Sequence, residues 1–286
     1  MERKLGTAAH HLPSTDDSYM MGRSEAETRR LIAQSRLYGS FTRRLLQEAG
    51  IAKGMRVLDV GSGAGDVALM AAEMVGPEGR VLGVDQNPEV LKTARARARA
   101  AGLTNAKFLQ GDIGAVVPDE DFDAVVGRLV LMYLPDPAEV LRALTRKVRP
   151  GGIVAFQDID QTPRSLVAHP RMPLWERFFE WVTAVAEKAP VDQEMGYKLF
   201  DTYLKAGLPA PKMEVNSPVG GGPNWEGYEY AAESLRSMMP LVLKFGIATA
   251  EEVEIETLAE RLRAESIVHQ GVVKPPEMVG AWAIKS

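Results

Sequence analysis

From residue 55 onward, short apolar runs alternate with amphipathic stretches. Residues 55–60 form an apolar run that ends in glycines, the pattern of a buried strand. Residues 67–75 are apolar and alanine-rich, as expected of the helix that follows. Further strands are predicted over residues 80–84, 106–109, 122–127 and 153–156. Two helix starts stand between them. Asn87 precedes Pro88, and Asp136 precedes Pro137. Each Asx side chain can accept from a first-turn N–H, and proline at the first helical position loses no bond. These helices are expected to run to about residues 101 and 148, with Pro150-Gly151-Gly152 as a turn before the fifth strand. Strands that alternate with helices at this spacing predict an α/β fold, a parallel sheet covered on both faces. The chain shows no internal repeat.

The two ends read differently. Residues 1–17 are polar and are expected to be a flexible tail, not a signal peptide. Ser24 and Glu27 form a capping box for a helix through residue 38, a second helix is predicted over residues 41–48, and Gly50 is a stop. Downstream, helices are predicted over residues 173–187 and 194–204, the latter closed by Gly207. A sixth strand is expected over residues 211–215 and a seventh over 277–284. About sixty residues separate those two, far more than a hairpin needs. They hold Gly220-Gly221-Gly222, read as a hinge, and two helices. The resulting division is a tail (1–17), an N-terminal helical segment (18–50), a core (51–216 with 273–286) and a helical cap (217–272).

The 286-residue chain is 45% hydrophobic with a formal net charge of −4, which supports a sizeable core and excludes global disorder. Weak acidity offers no broad attraction for nucleic acid or anionic lipid, so neither is an expected partner. Without cysteine, disulfides, thiolate catalysis and Cys-ligated metals are excluded, and no metal site is expected. No stretch approaches the roughly 18 uncharged apolar residues that span a bilayer. The expectation is a cytoplasmic monomer or homodimer.

Candidate chemistry concentrates at Asp59-Val60-Gly61-Ser62-Gly63-Ala64-Gly65, between the first strand and its helix. Glycines let the turn fold tightly and let a ligand approach the backbone. The rival reading is the dinucleotide pattern G-x-G-x-x-G, which places a third glycine where this chain has Asp66. With Asp59 on the other side, negative charge flanks the turn. That suits a pyrophosphate poorly and suits a cationic ligand carrying an ammonium and a sulfonium. Asp85 ends the second strand, where a carboxylate can accept from both hydroxyls of a ribose, and Gln86 stands beside it. Asp112 follows the third strand and can accept from an adenine amino group while Ile113 packs on the ring. Asp123, at a strand start, reads as structural.

In order and spacing, the stretch Val57-Leu58-Asp59-Val60-Gly61-Ser62-Gly63-Ala64-Gly65, then Val84-Asp85, Gly111-Asp112-Ile113, Phe122-Asp123 and Pro150-Gly151-Gly152, resembles the class I S-adenosylmethionine-dependent methyltransferases. The likeness is to their ubiquinone/menaquinone-type small-molecule group. It is strong over residues 36–157 and holds in outline beyond. Val148-Arg149 stands where many members carry a leucine and a lysine. The resemblance implies a Rossmann-like, seven-stranded, mostly parallel sheet with helices on both faces, N-terminal helices and a helical cap between the last two strands. It implies S-adenosylmethionine as cofactor and a small-molecule acceptor. By this resemblance Gly61 and Gly63 contact the methionine part, with Asp59 and Ser62 in the same set. Asp85 holds the ribose, Asp112 the adenine, and Arg128 and Leu129 line the methionine end. N-terminal segments of similar enzymes close over the cofactor, which makes Tyr19, Arg23 and Gln34 candidates for its carboxylate.

Methyl transfer from a sulfonium is an in-line displacement that needs alignment and exclusion of water. A base is needed only if the acceptor must lose a proton. Gln157, Asp158 and Asp160 are expected just after the fifth strand, and His169 lies near them. His169, with an unperturbed pKa of about 6.5, and Asp158 are the catalytic candidates, an ordinary surface histidine being the alternative for the former. His10 and His11 fall in the tail, and His269 reads as structural. Trp225, Met238, Met239 and Phe245 in the cap, with Trp175, Phe178, Phe179 and Trp181 before it, read mostly as packing and also as a wall for a largely apolar acceptor. Three other functions stand against this one. A nucleotide-cofactor oxidoreductase is opposed by Asp66. A nucleic-acid methyltransferase calls for an Asn/Asp-Pro-Pro-Tyr motif where this chain has Arg128-Leu129-Val130-Leu131. An accessory protein that binds the cofactor without methyl transfer stays open.

Overall fold

A computed structural model of the chain describes residues 25–113 and 121–286. The first helix, α1 (Glu25–Ala49), is continuous where two were expected. Ala33, Leu37, Tyr38, Phe41, Leu45, Leu46 and Ala49 form one buried stripe along it. That stripe spans Gly39, so tertiary packing outweighs the roughly 1 kcal/mol that a mid-helix glycine costs. Gly280 lets the helix lie close to the sheet, because a Cβ there would stand 2.1 Å from Leu45 Cδ1.

The core then runs β1 (Arg56–Val60), α2 (Asp66–Val75), β2 (Arg80–Asp85), α3 (Pro88–Ala100), β3 (Ala106–Gln110), β4 (Phe122–Arg128), α4 (Pro137–Thr145) and β5 (Val148–Asp160). Both predicted caps form: Glu89 N–H donates to Asn87 Oδ1 and Glu139 N–H to Asp136 Oδ1, each at 2.9 Å. The remainder is β6 (Val167–His169), α5 (Pro173–Lys188), α6 (Met195–Lys205), β7 (Lys212–Asn216), α7 (Gly227–Lys244), α8 (Ala250–Val253), α9 (Leu258–Val268), β8 (Val272–Lys274) and β9 (Glu277–Ile284). The large sheet has the order β3-β2-β1-β4-β5-β9-β7. Strands β3, β2, β1, β4 and β5 pair in parallel, and β9 is antiparallel to both neighbours. This is the Rossmann-like sheet expected. The chain winds outward from β1 to β3 and returns to the other side of β1 at β4. That reversal opens a crevice beyond the carboxyl ends of β1 and β4, where ligands bind in such sheets.

Successive residues of the inner strands enter opposite layers, which is why these strands read as unbroken apolar runs. Val125, Val154 and Phe156 pack with α1, α4 and α6. Ala124, Val126, Ile153 and Ala155 pack with α2 and the last turns of α1. A third cluster lies outside the sheet, where α5 packs with α7, α8 and α9. The predicted cap therefore shares its core with α5, an element expected in the sheet domain. Two further differences stand out. Strand β5 begins at Val148 and includes the expected turn, because Gly151 N–H donates to Lys285 O and Lys285 N–H to Gly152 O, each at 2.8 Å. The strand also runs on to Asp160, so Gln157, Asp158 and Asp160 lie within it. A small antiparallel ribbon, β6 with β8, was not anticipated. Among the described residues, no helix is long and apolar enough to cross a membrane.

Candidate functional site

The switch point brings the glycine turn, Asp85 and the residues after β4 together. Gly61, Gly63 and Gly65 all take left-handed backbone angles, φ 65°, 50° and 87°. Only glycine adopts these cheaply. The turn is pinned to Asp85, whose Oδ2 accepts from Gly63 N–H and Oδ1 from Asn87 N–H, each at 2.8 Å. Gln86 Nε2 donates to Asp112 Oδ2 at 3.1 Å, and Ile113 is buried beside them. Asp85, Gln86, Asp112 and Ile113 thus line one continuous edge next to the turn. From the other side, α1 brings Leu31 Cδ1 to 3.3 Å from where a Cβ on Gly63 would stand.

Beneath the turn lies a charged knot. Asp66 pairs with Arg97 at 2.7 Å and faces Arg128 at 3.9 Å. Its charge is consumed inside the protein, so the sequence argument that it flanks a cationic ligand does not hold for this residue. Asp59 differs. It is 1% exposed, and neither carboxylate oxygen has a well-formed hydrogen bond, the Ala68 N–H offering only a loose contact. Burial pushes its pKa up to about 8 against the pull of Arg128, with Asp85 and Asp66 adding to the rise. Ser62 Oγ is also buried without a partner. Arg128 is buried rather than open to the crevice. It donates to Thr42 Oγ1 at 3.1 Å, and Thr42 Oγ1 donates to Gln157 Oε1 at 2.8 Å. Burial lowers its pKa while Asp66 and Asp59 oppose the shift. Leu129 follows with φ 56°, a left-handed angle that costs a residue with a Cβ roughly 1–3 kcal/mol. Its N–H is held by Gln157 O at 2.7 Å.

Leu129 is also the link to a cavity between α1, α5 and α7, of about 700 Å³ including its mouth. Gln34 lines it from α1, Trp175, Phe178 and Phe179 from α5, Tyr230 and Met238 from α7, and Trp225 from the preceding loop. Helices α1 and α7 are joined above it by the Arg29–Glu233 ion pair at 3.1 Å and by the edge-on Tyr38–Tyr230 pair, centroids 5.6 Å apart.

A family described as a methyltransferase domain matches residues 51–201. This chain belongs to that family. Among similar proteins, an arsenite methyltransferase of Halobacterium salinarum is 41% identical over 115 residues, 40% of this chain and 29% of the relative. A demethylmenaquinone methyltransferase of Listeria welshimeri is 36% identical over 130 residues, 45% of this chain and 52% of the relative. The chain thus spans about half or less of the length of these relatives. A crystal structure of an S-adenosylmethionine-dependent methyltransferase from Aquifex aeolicus shares the fold, with a TM-score of 0.50 and 24% identity over 68% of this chain and 90% of that one. The cofactor of the family, S-adenosylmethionine, fits the residues present. It brings a cation to a site where Asp59 and Ser62 carry buried oxygens without a well-formed hydrogen bond from the protein.

The other sequence candidates are placed less uniformly. Tyr19 and Arg23 lie outside the described residues. Asp158 is fully buried and does not line the cavity. Its Oδ1 faces Met132 N–H at 3.4 Å, and burial raises its pKa well above the usual carboxylate range. His169 is exposed on β6, opposite Val272, and is not part of the cavity wall. Of the four cap residues singled out, Trp225 and Met238 line the cavity, whereas Met239 and Phe245 do not. Arg30 and Gln161 were missed, and both line the cavity. The signal for Arg30 was readable. It lies one helical turn before Gln34, on the same face as the apolar stripe of α1, where a charge is out of place. Gln161 carried no comparable signal. Asp123 is structural, as expected: it accepts from Arg56 N–H and Arg149 Nε, each at 2.7 Å.

Proposed function

We propose that this protein transfers a methyl group from S-adenosylmethionine to a small, largely apolar organic molecule held in the cavity between α1, α5 and α7. One observation carries the reading: the cavity is lined by Leu129 and Gln34, the residues that the family resemblance assigns to the methionine end of the cofactor. An acceptor seated there faces the glycine turn with little water between. When bound, the cofactor supplies an electrophilic methyl on a sulfonium. The protein's part is placement. Asp59 receives the ammonium, Gly61, Ser62 and Gly63 shape the methionine bed, and Arg128 holds Asp59 and the strand end in position from below. Asp85 and Gln86 accept the ribose, and Asp112 with Ile113 the adenine. Gln34, together with Tyr19 and Arg23 of the preceding segment, reaches for the carboxylate. Leu129 faces the methyl group. Asp158 acts by holding the Leu131–Tyr133 turn, two residues of which line the cavity. His169 has no access to the acceptor in this arrangement.

Arsenite, the substrate in one relative's name, is a poor fit. Soft centres take thiolate ligands, and this chain has no cysteine. The segment 217–272 serves as a wall for the acceptor and does not contact the cofactor. The deciding experiment pairs calorimetry with a transfer assay. S-adenosylhomocysteine should bind in the micromolar range, roughly −8 kcal/mol, and NAD should not compete. Labelled cofactor offered with a metabolite extract should label a small organic product. Binding without any labelled product would instead support the accessory reading.

A further inference from the structure

The cavity combines an aromatic wall with a positively charged, hydrogen-bond-donating lining. The wall centres on Trp175, whose ring lies 5.5 Å from Phe178, 5.7 Å from Phe179 and 6.1 Å from Trp225. Arg30 and Gln34 enter one turn apart from α1, 4% and 2% exposed. Gln161 enters from the turn after β5, and Ser234 from α7. Gln34 Nε2, Gln161 Nε2 and Ser234 Oγ are buried and bonded to no protein group. Buried polar groups of this kind persist where something else satisfies them. Three around one cavity point to a ligand that accepts hydrogen bonds. Among the described residues that line it, Arg30 is the one charged side chain, and no His, Lys, Asp or Glu contributes.

We propose that the acceptor is a flat aromatic oxyanion, of the phenolate or enolate class, which enters already ionised. This rests on the methyltransferase reading above and names the acceptor of that site. The oxygen lone pair forms the O–C bond, the S–C bond breaks with its electron pair going to sulfur, and no proton moves. Two opposite charges vanish in this step, which an enclosure that solvates neither ion favours. Transfer to a neutral amine would instead create a cation beside Arg30, against like charge and in the same dry space. The aromatic faces take the ring, while Arg30 and the Gln161 amide take the oxygen.

The test uses 4-nitrophenol, whose ionised form absorbs at longer wavelength than its neutral form, and full-length protein saturated with S-adenosylhomocysteine. The bound probe should show the phenolate spectrum at least one pH unit below its free ionisation point, a roughly tenfold preference for the anion. Arg30→Met should remove most of that shift and weaken probe binding about tenfold, and Gln161→Leu should weaken it about threefold, with S-adenosylhomocysteine affinity held within about threefold in both. If Arg30→Met does not fold, Gln161→Leu supplies the same readout. Benzylammonium should not compete. A probe bound in its neutral form, competition by benzylammonium, or no probe binding while S-adenosylhomocysteine binds would each overturn the proposal. Failure of the parent protein to bind S-adenosylhomocysteine would overturn the methyltransferase reading beneath it.

Discussion

Two glycine-rich segments of this chain look alike on paper and do opposite things. At Gly61, Gly63 and Gly65 the backbone itself is unusual: all three sit in the left-handed region, and Asp85 fixes the turn through a backbone N–H. At Gly220-Gly221-Gly222 the expected hinge is a tether. Gly220 is bridged to Val273, with N–H donations of 3.0 and 2.7 Å in the two directions. A Cβ on Gly220 would stand 2.1 Å from Trp225 Cδ1, and one on Gly221 would stand 2.2 Å from Gly271 O. Gly227 is equally closed, 2.2 Å from Trp225 Cζ2. The first cluster needs glycine for its backbone angles; in the second that holds only for Gly222, φ 75°, while at Gly220 and Gly221 an indole and a carbonyl occupy the space. The lesson extends to the two halves of the site. The crevice proposed for the cofactor is lined by carboxylates, of which Asp85 is held by two backbone N–H groups. The cavity proposed for the acceptor is built from aromatic rings held by packing.

The sharpest way to break this division is at Asp85. Asp85→Ala removes the two backbone hydrogen bonds as well as the ribose contact. Charge-assisted bonds are worth roughly 1.5–3 kcal/mol each, so S-adenosylhomocysteine affinity should fall about a hundredfold, with nitrophenol binding to the cavity changed much less. Equal losses for both ligands in calorimetry would mean the halves are not separate. Next comes Gly220→Ala. Overpacking against Trp225 should cost about 1–3 kcal/mol of stability in chemical denaturation, while cofactor affinity of the folded fraction stays within about threefold. A variant as stable as the parent would show that the segment swings freely after all.

A smaller effect follows from Asp59. Its folded-state pKa of about 8 lies above the ordinary 3.8, so the folded apoprotein holds a proton that the unfolded chain releases. Stability from this group is fully present below about pH 4 and declines as pH rises toward 8, by at most about 1.4 kcal/mol per unit. Binding an ammonium requires the ionised form. Cofactor-analogue affinity should therefore rise between pH 6 and 7.5, by up to about tenfold per unit, and calorimetry in two buffers should detect a released proton. Asp59→Asn should flatten both profiles, and a parent protein with a flat profile would remove the ammonium from Asp59. The mildest contrast is within the cap. Met238→Gln should lower methyl transfer about tenfold, whereas Met239→Gln and Phe245→Gln should stay within about threefold, since their side chains do not line the cavity. Equal losses from all three, measured with the same acceptor, would indicate a general packing effect.

Much of the cofactor half was legible because its signals are local. A strand ending in glycines, an Asx-Pro helix start and an aspartate at a strand terminus each depend on a few consecutive residues. Even there, local reading stopped at partners. Asp66 and Asp59 looked equivalent along the chain. Arg97 of α3 distinguishes them by pairing with Asp66 alone, while Arg128 acts on both. Arg128 looked like a lining residue, yet Thr42 of α1 draws it into the interior.

What the sequence determined by itself was the alternation of strands and helices, the turn at Asp59–Gly65 and the residue types set along the crevice, all consequences of short-range sterics and hydrogen bonding. Tertiary structure decided what required distant groups to meet. It made α1 one helix, joined α5 to α7, α8 and α9 in a separate apolar cluster, and turned a glycine run into a tether. It also set Arg30 and Gln161, far apart in the chain, around one aromatic cavity. Burial and pairing are properties of such meetings, so no stretch of sequence carries them alone.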